Sequence, residues 1–319
     1  MCATPVHVPV LLQEVLEHLP VPPAARLLDL TLGLGGHAEA LLARADADSR
    51  MLGVDRDPEA RAAVRERLGS DARLTILAGA YEEVWDDPAF EAWMSLQAPE
   101  GLDAVLMDLG VSSLQLRSAR RGFSFREAGP LDMRMNPEAG PTALDWIADQ
   151  DETSLADAIY RYGEERASRP IARAILKAFR EGRLATTTDL AEAVYTVLPR
   201  VVKGRRVPLD PATRTFQAIR IAVNGELEGL AQALEHAVKA LRPGGRLGVI
   251  SFHSLEDRIV KQTLRRLAGV YDGPGRHAPA ELPKLVRLVH PGGFAPSAEE
   301  CAANPPSRSA RLRVAEKLP

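Results

Sequence analysis

The chain has 319 residues, 45% of them hydrophobic, 26% charged and 5% aromatic, with a formal net charge of -3. At roughly 100 to 200 residues per domain, this length allows two domains or one large domain carrying an insertion, and it excludes a disulfide miniprotein. The composition excludes a disordered or fibrous chain, and the charge excludes a uniformly basic nucleic-acid coat while permitting local basic patches.

Cys2 and Cys301 lie near opposite ends. They give no metal-ligand spacing and at most one crosslink, so a reducing compartment is the default. The N-terminal Met-Cys-Ala-Thr-Pro has neither a basic leader nor an apolar core, and no later run approaches the roughly 20 apolar residues of a membrane span. A cytoplasmic chain with no membrane partner is expected. From residue 26 onward an apolar run, a turn and a helix repeat. Residues 26–30 read as a short buried strand, followed by Gly33, Gly35 and Gly36 and then a helix over 37–45. The next strand is 51–55, then a helix over 58–68 with proline in its first turn, then strands over 73–77 and 104–108. This alternation implies a mostly parallel, doubly wound sheet covered on both faces.

The next clear strand is 246–251, preceded by an amphipathic helix over 226–241 that Pro243-Gly244-Gly245 stops. About 135 residues separate it from the fourth strand, whereas a crossover needs only about a dozen. Most of that stretch is therefore an insertion, and its pattern is helical over 154–162, 170–181 and 189–198, the last with Asp189 and Glu192 as a capping-box-like start. Strands over 284–289 and 310–315 complete the sheet. The expected division is a sheet domain over 1–135 and 226–319, with an inserted helical substrate-recognition domain over 136–225.

The first chemical signal is Asp29-Leu30-Thr31-Leu32-Gly33-Leu34-Gly35-Gly36-His37. Glycines after a strand let the backbone approach a ligand with its N–H groups, and an acidic residue at the end of the next strand, here Asp55, can accept both ribose hydroxyls. A dinucleotide turn wants Gly-x-Gly-x-x-Gly for a pyrophosphate. The Gly-x-Gly-Gly run with a carboxylate ahead of it suits a cationic, phosphate-free nucleoside, S-adenosylmethionine. The second signal is Asp108-Leu109-Gly110-Val111-Ser112-Ser113-Leu114-Gln115, a polar turn after the fourth strand, beside the switch point where open sheets place reacting groups. Arg121-Gly122-Phe123-Ser124-Phe125 and Leu131-Asp132-Met133-Arg134-Met135 follow.

On these motifs, and on His7-Val8-Pro9-Val10-Leu11, residues 211–218 (Pro-Ala-Thr-Arg-Thr-Phe-Gln-Ala), residues 251–258 (Ser-Phe-His-Ser-Leu-Glu-Asp-Arg) and residues 311–317, the sequence resembles the bacterial 16S rRNA cytosine-N4 methyltransferase family over nearly its whole length. The resemblance implies a Rossmann-like class I methyltransferase fold with an inserted helical subdomain, S-adenosylmethionine as cofactor, and 16S rRNA of the small ribosomal subunit as partner, with a homodimer a possible assembly. It also implies that Gly35, Gly36 and His37 line the methionine part of the cofactor, Asp55 holds the ribose, Tyr81 packs on the adenine, and Asp108 and Gln115 complete the site. Two positions depart from the family pattern, Arg117 where an acidic residue is common and Pro306 where a basic one is; both bear on RNA contacts. Asn304-Pro305-Pro306 mimics a DNA amino-methyltransferase motif, but it does not follow the fourth strand.

Blander readings stand beside these. His37 alone would be a solvated or capping residue, and Asp108 could end its strand by bonding turn amides. Ser251, His253, Ser254 and Asp257 suggest a hydrolase triad, but without a Gly-x-Ser-x-Gly elbow they read as a polar pocket wall. Two segments are locally basic: 117–134, with Arg117, Arg120, Arg121, Arg126 and Arg134, and 200–220, with Arg200, Lys203, Arg205, Arg206, Arg214 and Arg220. Interleaved Phe123 and Phe125 make base stacking the expectation there. Arg258, Lys261, Arg265 and Arg266 add a basic helix stripe. The chemistry requires no metal. Asp108 is the candidate acceptor that orients the cytosine amine; the alternative function is a cofactor-binding RNA chaperone or assembly factor without transfer, with a nicotinamide oxidoreductase third.

Overall fold

The computed structural model describes residues 8–202, 205–206, 209–270 and 284–319. Its chain forms two compact units, one of residues up to Gly110 together with Leu227–Pro319, the other Val111–Glu226.

The first unit is built on β1 (Arg26–Asp29), β2 (Arg50–Asp55), β3 (Leu74–Ala78) and β4 (Leu102–Asp108). β5 (Val201–Val202) and β6 (Arg205–Arg206) pair with each other in the second unit, and β7 (Leu241–Ser251), β8 (Val286–Leu288) and β9 (Arg311–Lys317) return to the first. The seven-stranded sheet runs β3-β2-β1-β4-β7-β9-β8. Pairings from β3 through β7 are parallel, and β9 is antiparallel to both of its neighbours. Strand residues alternate between two cores, as a period of two requires. Leu28, Leu52, Val54, Val105, Met107, Leu247 and Val249 face one core with Phe90, Trp93, Leu234 and Leu264. Leu27, Met51, Ala104, Leu106, Ile250 and Leu312 face the other with Val15, Leu41 and Val64. The first core takes helices Pro88–Gln97, Leu230–Ala240 and Ser254–Leu267; the second takes Leu12–His18, Gly36–Arg44 and Pro58–Leu68.

Expected strands and helices differ from these mostly by one or two residues, the usual uncertainty of an element end. Larger differences have local causes. The helix expected from Glu226 begins at Leu230 because Gly229, at φ 71°, is its N-cap. Pro243 and Gly244 do not simply follow the helix. They lie within β7, whose register against β4 jumps from Leu102↔Leu241 to Ala104↔Arg246, so the proline and glycine form a bulge.

The second unit packs helices Ala143–Ala148, Glu152–Gly163, Ser168–Arg180, Thr187–Tyr195 and Ala212–Asn224 around Ile147, Ile159, Ile175, Leu190 and Ile219. The capping box expected at Asp189 and Glu192 sits one turn earlier: Thr186 Oγ accepts the Asp189 N–H while Asp189 accepts the Thr186 N–H. This unit begins ahead of residue 136. Phe123, Leu131, Met133 and Met135 belong to its core, and Asn224 binds both the Met133 carbonyl and the Met135 N–H at 2.7 Å. The sequence of 111–135 has no helical period to reveal that allegiance.

Candidate cofactor and catalytic site

β1, β2 and β4 lie side by side in the order β2-β1-β4, and their carboxyl ends carry the candidate residues. The strand order reverses between β1 and β4, which is where a doubly wound sheet opens a crevice. Asp29 ends β1 with 1% exposure. Burial pushes its carboxyl up to about 7, against the pull of the Thr31 N–H bonded to it. After β1 the chain turns at Gly33 and Gly35. Gly35, at φ 72°, is the N-cap of helix Gly36–Arg44, a conformation an L side chain rarely adopts. Gly36 is required for another reason, since a Cβ there would lie 2.5 Å from the Pro9 ring.

Asp55, the last residue of β2, accepts the Gly33 N–H on Oδ2 at 2.6 Å and the Asp57 N–H on Oδ1 at 2.8 Å. Its carboxyl is raised by burial, with those two amides opposing the shift. The glycine turn and the acidic residue of the next strand are thus one hydrogen-bonded assembly.

His37 is 5% exposed, so the reading of a solvated helix-start histidine fails. Its Nε2 lies 3.6 Å from Asp108 Oδ2, beyond hydrogen-bond reach, and neither ring nitrogen has a hydrogen-bond partner. Asp108 Oδ1 is likewise buried and unpartnered. The reading of Asp108 as a turn-bonding strand end fails for the same reason. Buried polar groups normally find partners, so three orphaned atoms on two neighbouring side chains mark a place where a ligand supplies them.

Tyr81 follows β3, half-buried against the first core; its carbonyl accepts the Trp85 indole N–H at 2.7 Å, and the Arg56 guanidinium lies 5.8 Å from its ring centre. Arg56 also pairs with Glu82, whose carboxyl burial pushes up. No motif pointed to Arg56 or Glu82; both directly follow an expected site residue, which is the one signal that could have found them. Gln115 belongs to the second unit. It is 4% exposed and forms a capping box with Ser112 on helix Ser113–Arg117, its Oε1 accepting the Ser112 N–H at 2.9 Å.

The group after β7 caps and fastens its helix, although His253 Nε2, 3.2 Å from Glu256 Oε1, is also buried without a hydrogen bond. His253 caps helix Ser254–Leu267 by accepting the Glu256 N–H on Nδ1, Glu256 accepts the Phe252 N–H, and Asp257 is held bidentately by Arg313 at 2.7 and 2.9 Å. Asp257 is thus committed to an arginine, so no Ser-His-Asp relay forms. Asn304 donates to the Val8 carbonyl, away from β4. Cys301 is a free thiol; Cys2 lies outside the described residues.

The base-stacking expectation for Phe123 and Phe125 is corrected. Phe123 is buried in the helical core, and Phe125 packs edge-on against Phe216 at 4.7 Å. Several arginines are also internal fasteners. Arg121, 4% exposed, donates to the carbonyls of Arg134 and Met135, and Arg134 is bidentate on Asp132. Arg220 is bidentate on Glu226, Arg214 pairs with Glu165, and Arg200 pairs with Asp210 while stacking on Tyr195. Lys203 and the side chains of Arg205 and Arg206 lie outside the described residues. Arg117, Arg120 and Arg126 are exposed.

The model of the MraW methylase family matches residues 4–318. This chain belongs to the MraW methylase family. A ribosomal RNA small subunit methyltransferase H from Stenotrophomonas maltophilia is 47% identical, covering 98% of this chain and 93% of its own length. Its namesake from Xanthobacter autotrophicus is 49% identical over 98% and 87%. Among solved structures, an rRNA methylase from Streptococcus thermophilus aligns with 11% identity and a TM-score of 0.41, covering 100% of this chain and 99% of its own. The sheet order and family membership, rather than that distant likeness, identify the class I methyltransferase fold. S-adenosylmethionine is the family's methyl donor, and the site fits it: a buried carboxylate, Asp55, anchored by the glycine turn, and unpartnered polar atoms on His37 and Asp108. Among the described residues no helix is long and apolar enough to cross a membrane.

Proposed function

We propose that this protein transfers the methyl group of S-adenosylmethionine to the exocyclic N4 amine of a cytosine in 16S rRNA of the small ribosomal subunit, in the cytoplasm. The observation that carries the reading is the set of unpartnered buried atoms on His37 and Asp108 at the switch point, in a chain whose relatives are named for small-subunit rRNA methylation. Nothing in the family match favours binding without transfer.

Asp55 holds the ribose. Its two oxygens are already anchored by the Gly33 and Asp57 amides, so their remaining lone pairs are fixed in direction before a ligand arrives. Tyr81 packs on the adenine, and Gly35, Gly36 and His37 line the methionine part. When bound, the cofactor supplies an electrophilic methyl on a cationic sulfonium, itself a good leaving group. The cytosine amine is a poor nucleophile because its lone pair is delocalised into the ring, and the base must be unpaired to reach a pocket. Asp108 accepts an amine N–H on its free Oδ1, so turns the lone pair toward the methyl carbon, and takes the proton that N4 loses as it gains the methyl group. Orientation and exclusion of water supply most of the rate. The helical unit Val111–Glu226 recognises the RNA, using the exposed Arg117, Arg120 and Arg126 on phosphates.

The test is transfer from methyl-labelled S-adenosylmethionine to small subunits isolated from cells without this activity, followed by mass spectrometry of the digested rRNA. One N4-methylcytidine per subunit is expected. Label on another atom, or none on 16S rRNA, overturns the reading.

A further inference from the structure

The parallel ladder between β1 and β4 pairs Asp29 with Leu106, and the last main-chain bond beyond it runs from the Leu30 N–H to the Leu106 carbonyl. Two residues on, the Asp108 N–H points to the same side, where another β1 carbonyl would meet it if that strand continued. The chain has by then turned into the glycine loop. Thr31 Oγ takes the place of that carbonyl and accepts the Asp108 N–H at 2.5 Å. An amide N–H can only donate, so the hydroxyl must be the acceptor in this bond. Its own hydrogen is left for Asp29 Oδ1, 3.4 Å away, which also accepts the Thr31 N–H at 3.0 Å.

We infer that Thr31 is a positioning residue for methyl transfer: its hydroxyl supplies the missing rung between the ends of β1 and β4, and so fixes the main chain from which Asp108 presents its carboxylate. The inference rests on the role given to Asp108 above. That carboxylate has no hydrogen bond to His37 and one oxygen without any partner, so its direction is set from its backbone. A misplacement of about 1 Å at a reacting group can cost on the order of 100-fold in rate. The buried Asp29 in turn holds Thr31 from behind, which makes the arrangement two linked side chains ending on a main-chain amide rather than one exposed hydroxyl.

Thr31→Val keeps the shape and removes the acceptor; Thr31→Ser keeps the acceptor. The expected result is a 10- to 100-fold lower kcat for Thr31→Val at saturating cofactor and subunit, a dissociation constant for S-adenosylhomocysteine within threefold of the parent, and a kcat for Thr31→Ser within threefold. Hydrogen exchange at the Asp108 amide should quicken in Thr31→Val and not in Thr31→Ser. Should Thr31→Val fail to fold, Thr31→Ala against Thr31→Ser makes the same comparison. A folded variant lacking the hydroxyl with kcat within twofold of the parent overturns the inference, as does a serine variant as slow as the valine one. Failure of the functional reading looks different: the parent itself would then transfer no methyl to cytosine N4, while the exchange comparison would still report the rung.

Discussion

The two units of the chain differ in how many buried polar atoms they leave without partners. In the helical unit polar side chains, buried and half-buried, act as fasteners: Arg121 closes on two carbonyls, Arg220 on Glu226, Asn224 on the 133–135 segment, and Thr142 and Thr186 cap helices with reciprocal bonds. Thr215 Oγ is the single buried orphan atom among its described residues. In the sheet unit, both nitrogens of His37 and one oxygen of Asp108 are buried with nothing bonded to them, beside an Asp29 whose carboxyl burial has raised to about 7, and Arg61 Nε, Glu82 Oε2 and His253 Nε2 are further buried atoms without a hydrogen bond. Satisfied polar groups specify a packing, whereas unsatisfied ones cost stability and persist where a ligand completes them. The contrast separates scaffold from site more sharply than residue type does, because both units bury charged residues.

That contrast breaks if a supposed site residue proves structural, or a supposed fastener proves functional. The largest effect is expected at Asp108→Asn, which keeps the shape but puts an amide donor among the possible faces toward the amine. We expect kcat to fall by about 100-fold or more, within the range that positioned proton acceptors supply, with little change in melting temperature. Full kcat at saturating substrate would remove Asp108 from the acceptor role.

Arg220→Ala tests the other side. It leaves Glu226, 5% exposed, without its bidentate partner, and breaking a buried pair costs about 3 kcal/mol or more. Denaturant unfolding should register that loss. An unaltered midpoint would show that the pair is no fastener.

Asp55→Ala should act on binding rather than on rate. A carboxylate that accepts two ribose hydroxyls stabilises bound and transition states alike, so the cofactor KM should rise about tenfold or more while kcat changes less. An unchanged S-adenosylhomocysteine affinity by calorimetry in the folded variant would remove Asp55 from the site. The smallest effect concerns the surface. Replacing exposed Arg117, Arg120 and Arg126 together by alanine should weaken subunit binding and flatten its salt dependence by roughly 0.7 to 0.9 in slope for each phosphate no longer neutralised, with cofactor affinity at the parent value. A slope equal to the parent's would make these three arginines a solvated face.

The sequence by itself determined the sheet. Short apolar runs, proline at residue 58 and glycines after β1 place the strands of the first unit to within a residue or two, apart from the start of β7, because these signals act through local backbone and burial preferences. Asp55 and Asp108 were legible too, since a strand's end is legible. Partners were not. Whether an arginine reaches phosphate or a carbonyl a dozen or so residues on depends on which way its chain segment folds, and nothing in the local pattern of 117–134 distinguishes buried Arg121 from exposed Arg120. Phe123 and Phe125 misled for the same reason: an aromatic beside arginines reads as a stacking platform until helix packing draws it into a core. Only the tertiary structure decided that Thr31, an ordinary polar residue inside the glycine motif, bonds the amide of Asp108 on another strand, because that contact forms across a sheet between residues far apart in the chain.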